Sequence, residues 1–247
     1  MTAASAHLKV RVSNIWIEAL DVASFELRPA SGDELPSFTA GAHINVHLPG
    51  SMTRSYSLLN DQCDKHRYVV AVRRDEQSRG GSVYMHDCIA PGSELIISSP
   101  RNSFPLVEDA KHVVFIAGGI GITPIWAMVQ RLKCLARSWE LHYCAKTHGH
   151  AAFYEDIKRL SRVDNATVNF YFGESNSRKI GISSIVERAD SGAHLYCCGP
   201  IKMMRDFREA TSKWPAQQIT RNTSVRSREK KLHTGLRSNL PDRVERS

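Results

Sequence analysis

The chain of 247 residues is long enough for one large domain or two of about 100 to 150 residues each. Its hydrophobic share of 42% and charged share of 23% are ordinary for a globular protein, and no apolar stretch approaches the roughly 20 residues of a membrane-spanning helix. The formal charge of +8 is concentrated in residues 219–247, which hold eight Lys or Arg against three acidic residues and no aromatic residue, so nucleic-acid binding is not expected.

The N-terminal sequence and the cysteine spacing indicate in which cellular compartment the protein is expected. Residues 1–8 lack a basic region followed by an apolar core, so a signal peptide is not predicted and a cytoplasmic location is expected. The six cysteines show no Cys-x-x-Cys spacing and are interpreted as reduced thiols. His43 and His47 share a strand face, but they lack a carboxylate or cysteine partner at metal-ligand spacing, so a structural role is favoured and a metal site is not predicted.

Short strands and turn signals dominate the first half of the chain. Alternating or apolar runs predict strands at residues 8–12, 15–17, 44–48, 54–58, 68–72 and 95–97. Turn signals interrupt them at residues 29–33, 49–50 and 91–92. This spacing predicts a small antiparallel β barrel over residues 1–104.

The predicted fourth strand carries side chains suited to a phosphorylated flat ligand. Arg54 can pair with a phosphate, Tyr56 can stack on a ring, and Ser57 can hydrogen-bond a ring-edge nitrogen, with Ser55 between them. The same pentapeptide also occurs in plain edge strands. Downstream, Gly80, Gly81 and Ser82 precede a short predicted helix through residue 86, which favours a backbone anion site at the helix start.

The second half alternates strands with helices. Strands are predicted at residues 112–117, 140–145, 167–172 and 194–198, and helices at residues 125–136, 151–160, 183–189 and 201–214. The pattern predicts an α/β domain over residues 105–218, with a parallel sheet and a nucleotide crevice at the carboxyl ends of its strands.

A glycine loop follows the first of these strands. Gly118, Gly119 and Gly121 allow close backbone approach to a phosphate, Thr123 is predicted as the N-cap of the next helix, and Pro124 as its first residue. The loop would then lie at the positive end of a helix dipole, where anions bind. A plain tight turn is the alternative.

A second turn, at residues 198–200, also connects a predicted strand to a predicted helix. Cys198, Gly199 and Pro200 come directly after the strand at 194–198 and before a helix, so they are predicted to face the same crevice as Thr123. The alternative for Cys198 is a small buried apolar residue with no role in binding.

In this order, the motifs resemble those of the ferredoxin–NADP reductase superfamily, and within it the FMN-containing reductases of the phthalate dioxygenase reductase and vanillate demethylase reductase type. The resemblance covers residues 8 to about 218 and rests on five segments, at residues 38–43, 54–57, 80–82, 118–124 and 198–200. It implies an FMN-binding barrel followed by an NADH-binding domain. The residues leave FAD open, because both flavins place a phosphate at the same anchors. They also leave NADPH open, because Lys146 and Arg178 could approach a 2′-phosphate.

The resemblance also implies roles for individual residues. Arg54 and the backbone of Gly81 and Ser82 would hold the flavin phosphate, while Tyr56 would lie on the isoalloxazine ring. Ser57 would approach flavin N5, the loop from Gly118 to Thr123 would embrace NADH, and Cys198 would lie near the nicotinamide. The catalytic positions implied are therefore Ser57, Thr123 and Cys198.

The end of the chain departs from the family pattern. In the family a final strand with acidic and aromatic residues and then a plant-type ferredoxin domain follow, but the sequence after Ile219 shows no strand rhythm. A plant-type cluster needs four cysteines and none follows Cys198, so a [2Fe-2S] cluster is not expected on this chain. We therefore predict a truncated or frameshifted member whose residues 219–247 form a disordered basic tail.

These observations favour an NADH-dependent flavin oxidoreductase that acts as the reductase component of a Rieske-type oxygenase or demethylase system. Its electron acceptor would be the terminal oxygenase or a separate ferredoxin. The alternative is a non-catalytic remnant that binds flavin or a partner without productive NADH turnover. Neither interpretation involves a nucleic acid or a membrane.

Overall fold

The structure is a computed structural model, and it describes residues 7–161, 165–173 and 180–222. The predicted disorder of the tail therefore concerns residues that lie mostly outside this description, as does Arg178. Within the described ranges, none of the helices combines the length and the apolar character that crossing a bilayer requires.

The N-terminal domain is a six-stranded antiparallel sheet. Its strands occur in the spatial order β4-β3-β6-β1-β2-β5. The bounds are β1 His7–Ala19, β2 Val22–Pro29, β3 His43–Leu48, β4 Met52–Ser57, β5 Tyr68–Arg73 and β6 Glu94–Ser98, with helix α1 at Gly81–Cys88 before the last strand. The edge strands β4 and β5 meet at a single bridge between Leu58 and Val70, so the sheet curls into the predicted barrel shape without a continuous closing ladder.

Strand β2 is the element of the barrel that the sequence pattern did not predict. Six successive residues, 22–27, are buried, so the alternation typical of a half-exposed strand is missing. The buried polar groups are satisfied locally, because Ser24 donates to Glu18 over 2.6 Å and Glu26 accepts from Arg67 over 2.7 Å. A strand buried on both faces with paired polar groups has no simple hydrophobic period.

The C-terminal domain is a parallel five-stranded sheet in the order β11-β10-β7-β8-β9. The strands are β7 His112–Gly118, β8 Ser138–Ala145, β9 Ala166–Phe172, β10 His194–Cys198 and β11 Ile219–Arg221. The helices are α2 Ile122–Cys134, α3 Tyr154–Leu160, α4 Ile182–Arg188 and α5 Ile201–Ala210. Helices α2 and α3 pack on one face and α4 and α5 on the other, which confirms the predicted α/β arrangement.

The chain order reverses between β7 and β10. From β7 the sheet grows through β8 to β9 on one side and through β10 to β11 on the other. The loops that leave β7 and β10 therefore diverge from a common crevice, which is where ligands bind in open parallel sheets. The glycine loop after Gly118 and the turn after Cys198 both begin at this point.

Strand β11 corrects the expectation that no strand follows residue 218. Leu195, Tyr196 and Cys197 of β10 pair in parallel with Ile219, Thr220 and Arg221. Three residues are too few for a recognisable period, and the pairing uses backbone groups that β10 exposes at the sheet edge.

The segment between the domains is fixed by contacts on both sides. The Tyr196 hydroxyl accepts a hydrogen bond from the Val107 backbone over 2.9 Å and donates to the carbonyl of Pro105 over 3.1 Å. The Gln130 side chain of α2 donates to the carbonyl of Leu59 in the barrel over 2.7 Å. The two domains therefore share one packed interface, and the space between them has defined walls.

Candidate functional site

A cavity of about 330 Å³ lies between the barrel and the carboxyl edge of the parallel sheet. Both domains contribute to its walls. Nine residues predicted from the sequence line it, namely Arg54, Ser55, Tyr56, Ser57, Ser82, Gly121, Thr123, Pro124 and Cys198. The other lining residues are Ala71, Arg73, Asp75, Ser78, Ile120 and Asn222. The structure thus brings together the two sets of motifs that lie far apart in the sequence.

Arg54 is held at the rim of the cavity against the start of helix α1. Its guanidinium donates to the carbonyl of Thr53 over 2.9 Å and to the carbonyl of Arg79 over 3.1 Å. A Cβ on Gly81 would lie 2.5 Å from Arg54 Nε, so a side chain at this position would push the guanidinium away from its place beside the helix N-terminus. A cation and free backbone N–H groups together suit a phosphate.

Tyr56 is a cavity-lining residue whose hydroxyl is buried. Its hydroxyl is buried and has no hydrogen-bond partner among the described residues, although buried hydroxyls are normally paired. Burial raises the pKa of Tyr56 to about 12, so the hydroxyl remains a neutral donor at physiological pH. An aromatic side chain and a guanidinium along one cavity fit a phosphorylated aromatic cofactor such as a flavin.

Ser55 and Ser57 point to opposite sides of β4 from Arg54 and Tyr56, yet all four residues line the cavity. The reason is that β4 is an edge strand, so a ligand can reach both of its faces. The Ser55 hydroxyl donates to the Asn45 side chain over 2.6 Å, which anchors this edge to β3. Ser82 accepts a hydrogen bond from the Asp75 backbone over 3.1 Å and steadies the loop before α1.

The glycine loop differs in detail from its prediction. Residues Gly119–Gly121 form a turn of 3₁₀ helix, and α2 begins directly after it at Ile122. Thr123 is therefore inside the first turn and not the N-cap, and Pro124 is the third helical residue. The Thr123 hydroxyl donates to the carbonyl of Ile120 over 2.9 Å and caps no helical N–H group.

Gly121 and Cys198 are the residues at which the glycine loop after β7 contacts the turn after β10. A Cβ on Gly121 would lie 2.2 Å from the carbonyl oxygen of Cys198, so the loops can approach only with glycine at this position.

Six predicted residues, Gly80, Gly81, Gly118, Gly119, Gly199 and Pro200, do not line the cavity themselves. They shape the turns behind it, and Pro200 also lines a second cavity of about 500 Å³ over β8, α4 and α5.

Cys198 is fully buried, and burial raises the pKa of its thiol to about 12. The thiol therefore stays protonated across the physiological range, which makes it a weak neutral donor and not a nucleophile. In the same strand, Cys197 faces away toward the cluster around α4 and α5, because successive residues of a strand point to opposite faces.

Arg73 is the clearest residue that sequence reasoning missed. It ends strand β5 in the barrel, but its Nη1 lies 4.0 Å from the position that a Cβ on Gly119 would occupy. Its ion pair with Asp21 is long, at 3.9 Å, and its side chain is 47% exposed. No local motif marks this residue, since its place at the glycine loop depends on how the domains pack.

Comparison with known proteins agrees with this geometry. The oxidoreductase NAD-binding domain family matches residues 115–209. The tetrachlorobenzoquinone reductase of Sphingobium chlorophenolicum is 41% identical over 89% of this chain and 68% of its own length. The vanillate O-demethylase oxidoreductase of Pseudomonas putida is 42% identical over 78% of this chain, which spans 60% of that relative.

A solved structure supports the same assignment. The phthalate dioxygenase reductase structure superimposes with a TM-score of 0.80 and 34% identity, covering 88% of this chain and 68% of that one. Because sequence identity and topology agree, this chain belongs to the ferredoxin–NADP reductase superfamily, among reductases of the phthalate dioxygenase reductase and vanillate demethylase reductase type.

Proposed function

We propose that this chain is a cytoplasmic NADH-dependent flavin oxidoreductase that binds FMN and passes electrons to an iron–sulfur acceptor. The observation that carries the proposal is the cavity shared by the two domains. It places the barrel residues Arg54 and Tyr56 and the sheet residues Thr123 and Cys198 around one space. We assign flavin binding to residues 1–104 and dinucleotide binding to residues 105–218, extended by strand β11.

The proposed flavin site uses charge at one end and a ring surface at the other. Arg54 and the N-terminus of α1 would hold the terminal phosphate, while Tyr56 would lie against the isoalloxazine ring. A bound flavin supplies the chemistry, because it accepts a hydride and releases electrons singly. FMN is favoured over FAD by the resemblance to the FMN-containing reductases, since both flavins would place a phosphate at these contacts.

The proposed NADH site uses the carboxyl edge of the parallel sheet. The turn at Gly119–Gly121 and the start of α2 offer backbone N–H groups to the pyrophosphate, and Arg73 adds a cation from the barrel side. Cys198 forms the buried wall on which the nicotinamide would rest. The residues of this chain thereby align two flat rings, which is the main contribution of a protein to hydride transfer.

The relatives support an electron-transfer role with an oxygenase. The phthalate dioxygenase reductase is described as a modular structure for electron transfer from pyridine nucleotides to [2Fe-2S]. The chain spans about two thirds or less of the relatives compared above. For this chain we propose a terminal oxygenase or a separate ferredoxin as the acceptor.

Two measurements test the proposal. The absorbance spectrum of the purified chain should show a bound flavin, and heat release should identify it as FMN. Steady-state oxidation of NADH with ferricyanide should then show turnover. Flavin binding without NADH oxidation would instead support a non-catalytic remnant, and absence of flavin would refute the proposal.

A further inference from the structure

Asn222 is brought to the cavity by the short strand β11. It follows Arg221 directly, and its backbone N–H donates to the carbonyl of Cys197 over 3.1 Å. It is 8% exposed, and it lines the same cavity as Cys198, Thr123 and Tyr56. The pairing of β11 with β10 thus holds this residue beside Cys198.

The chemistry of Asn222 differs from that of the other polar lining residues. Within the described wall of the cavity, those residues carry hydroxyl or charged groups, whereas Asn222 alone carries a carboxamide. A carboxamide offers a carbonyl acceptor and an NH₂ donor side by side. It can therefore form two complementary hydrogen bonds with a second primary amide.

The charge of the side chain also suits the reaction. A carboxamide does not ionise, so it exerts no net charge on a ring that is neutral when reduced and cationic when oxidised. A carboxylate in the same buried position would favour the oxidised ring, because an opposite charge is stabilising at low dielectric. Asn222 can hold both redox forms without this bias.

We propose that Asn222 is a positioning residue that binds the carboxamide of the nicotinamide ring beside Cys198. The inference rests on the proposed function, since it requires NADH in this cavity. It goes beyond that function by assigning recognition of the nicotinamide group to the segment after residue 218. The phosphate contacts at Gly119–Gly121 and the amide contact at Asn222 would then fix opposite ends of one half of the dinucleotide.

The test compares two ligands that differ by the nicotinamide group. Calorimetry of the flavin-loaded full chain should measure binding of NAD⁺ and of ADP-ribose to the unaltered protein and to Asn222→Ala. We expect Asn222→Ala to weaken NAD⁺ about three- to tenfold, the effect of losing hydrogen bonds to a neutral partner, and to leave ADP-ribose unchanged. Asn222→Leu keeps a side chain of similar shape but cannot form these hydrogen bonds. It should weaken NAD⁺ binding as much as Asn222→Ala does, if the lost hydrogen bonds and not the lost side-chain volume cause the effect.

Gln218→Ala is the matched control. Its side-chain amide donates to the carbonyl of Ser191 over 2.8 Å, on the same segment but not among the cavity-lining residues. Gln218→Ala should change neither the affinity for NAD⁺ nor the affinity for ADP-ribose. In stopped-flow reduction by NADH, Asn222→Ala should also slow the reduction of the bound flavin, whereas Gln218→Ala should not.

Several outcomes would overturn the inference. Equal weakening of NAD⁺ and ADP-ribose would show that Asn222 only shapes the wall, and unchanged binding of both would show no contact. An unaltered protein that binds NAD⁺ no more tightly than ADP-ribose would exclude recognition of the nicotinamide. These results are distinct from failure of the proposed function, which would appear as absence of flavin or of NADH oxidation in the unaltered chain.

Discussion

Gly121 and Cys198 are the point at which the two loops of the parallel sheet touch, since a Cβ on Gly121 would overlap the Cys198 carbonyl at 2.2 Å. The contact joins the start of α2 to the end of β10 across the crevice. Both residues also line the cavity between the domains. Any change that separates the loops therefore changes the shape of the proposed dinucleotide site.

The first prediction concerns this contact. Gly121→Ala should raise the KM for NADH at least tenfold and lower the free energy of unfolding by about 1 to 3 kcal/mol, because backbone atoms must move to admit the methyl group. Ferricyanide kinetics and denaturant unfolding check the two effects. Gly173→Ala is the control, because its Cβ would be 3.7 Å from the nearest atom, in ordinary contact. An unchanged KM would mean that the loop does not bind NADH.

The second prediction concerns Arg54. Arg54→Ala should weaken flavin binding roughly ten- to hundredfold, because a guanidinium contact with a phosphate contributes about 1.5 to 3 kcal/mol. Flavin absorbance after extensive dialysis measures the loss. Arg11→Ala, which removes an exposed arginine paired with Glu94 on the outer side of the barrel, should retain the flavin. Undiminished absorbance in Arg54→Ala would show that the phosphate is held elsewhere.

The third prediction separates the two anion sites. Arg73→Ala should keep its flavin but raise the KM for NADH about fivefold or more, because Arg73 Nη1 lies 4.0 Å from the position that a Cβ on Gly119 would occupy. The effect should shrink as salt is added, since an exposed cation is screened. If Arg73→Ala loses flavin and keeps its KM, the guanidinium belongs to the flavin site and the assignment to NADH is wrong.

The fourth prediction concerns Cys198. Cys198→Ala should slow reduction of the bound flavin by NADH, on the order of tenfold, more than it weakens NADH binding, because the side chain places the ring and not the phosphates. Cys198→Ser, which keeps a small donor, should recover part of the rate. Stopped-flow absorbance at a range of NADH concentrations separates rate from affinity.

The pH profile provides a further check on Cys198. Because burial raises the pKa of its thiol to about 12, the group is protonated at every pH from about 6 to about 9. Its contribution to the reduction rate should therefore be constant across that range. A step in the rate near pH 8 that Cys198→Ala abolishes would show that the thiolate takes part.

The fifth prediction concerns the stability of the barrel. Burial acts to raise the pKa of Glu26, but hydrogen bonds from Ser13, Arg67 and Arg28 outweigh it and lower the pKa to about 2. A depressed pKa means that the ionised carboxylate stabilises the fold above its ordinary pKa of 4.5 and that this stabilisation is lost as the pH falls toward 2. Glu26→Gln should therefore destabilise the protein by about 2 kcal/mol at neutral pH.

Denaturant unfolding at several pH values checks this expectation. The difference between the unaltered chain and Glu26→Gln should narrow as the pH falls below about 4.5. Glu94→Gln is the control, because its solvent-exposed pair with Lys9 is screened by water and should contribute little to stability. A difference for Glu26→Gln that stays constant down to pH 3 would mean that the ion pairs do not account for the stabilisation.

Much of the architecture could be predicted from local sequence. The apolar run before Gly118 and the turn after Cys198 predicted two parallel strands that end at one crevice. In the structure these strands, β7 and β10, pair directly. The segment from Arg54 to Ser57 predicted a ligand-facing strand, and all four residues line the cavity. The strand and the parallel pairing could be predicted because strand periodicity, glycine turns and helix starts are determined within about ten residues of chain, whereas the ligand-binding role of residues 54–57 stays a prediction.

Other features depended on the tertiary structure. Strand β2 was missed because it is buried on both faces, and β11 because three residues carry no period. Thr123 was misplaced as an N-cap because the 3₁₀ turn at Gly119–Gly121 starts the helix earlier. Residues 223–247 lie outside the described ranges, so the prediction for that part of the tail stays a prediction.

The sequence by itself determined the two glycine turns, the strand at residues 54–57 and the order of a barrel before an α/β domain, because each depends on a short stretch of residue types. Only the tertiary structure decided that Arg73 reaches Gly119 and that Asn222 lies beside Cys198 in one cavity. Those placements depend on domain packing and on a strand added at a sheet edge. Contacts of that kind join residues distant in the chain, and no local pattern of side chains encodes them.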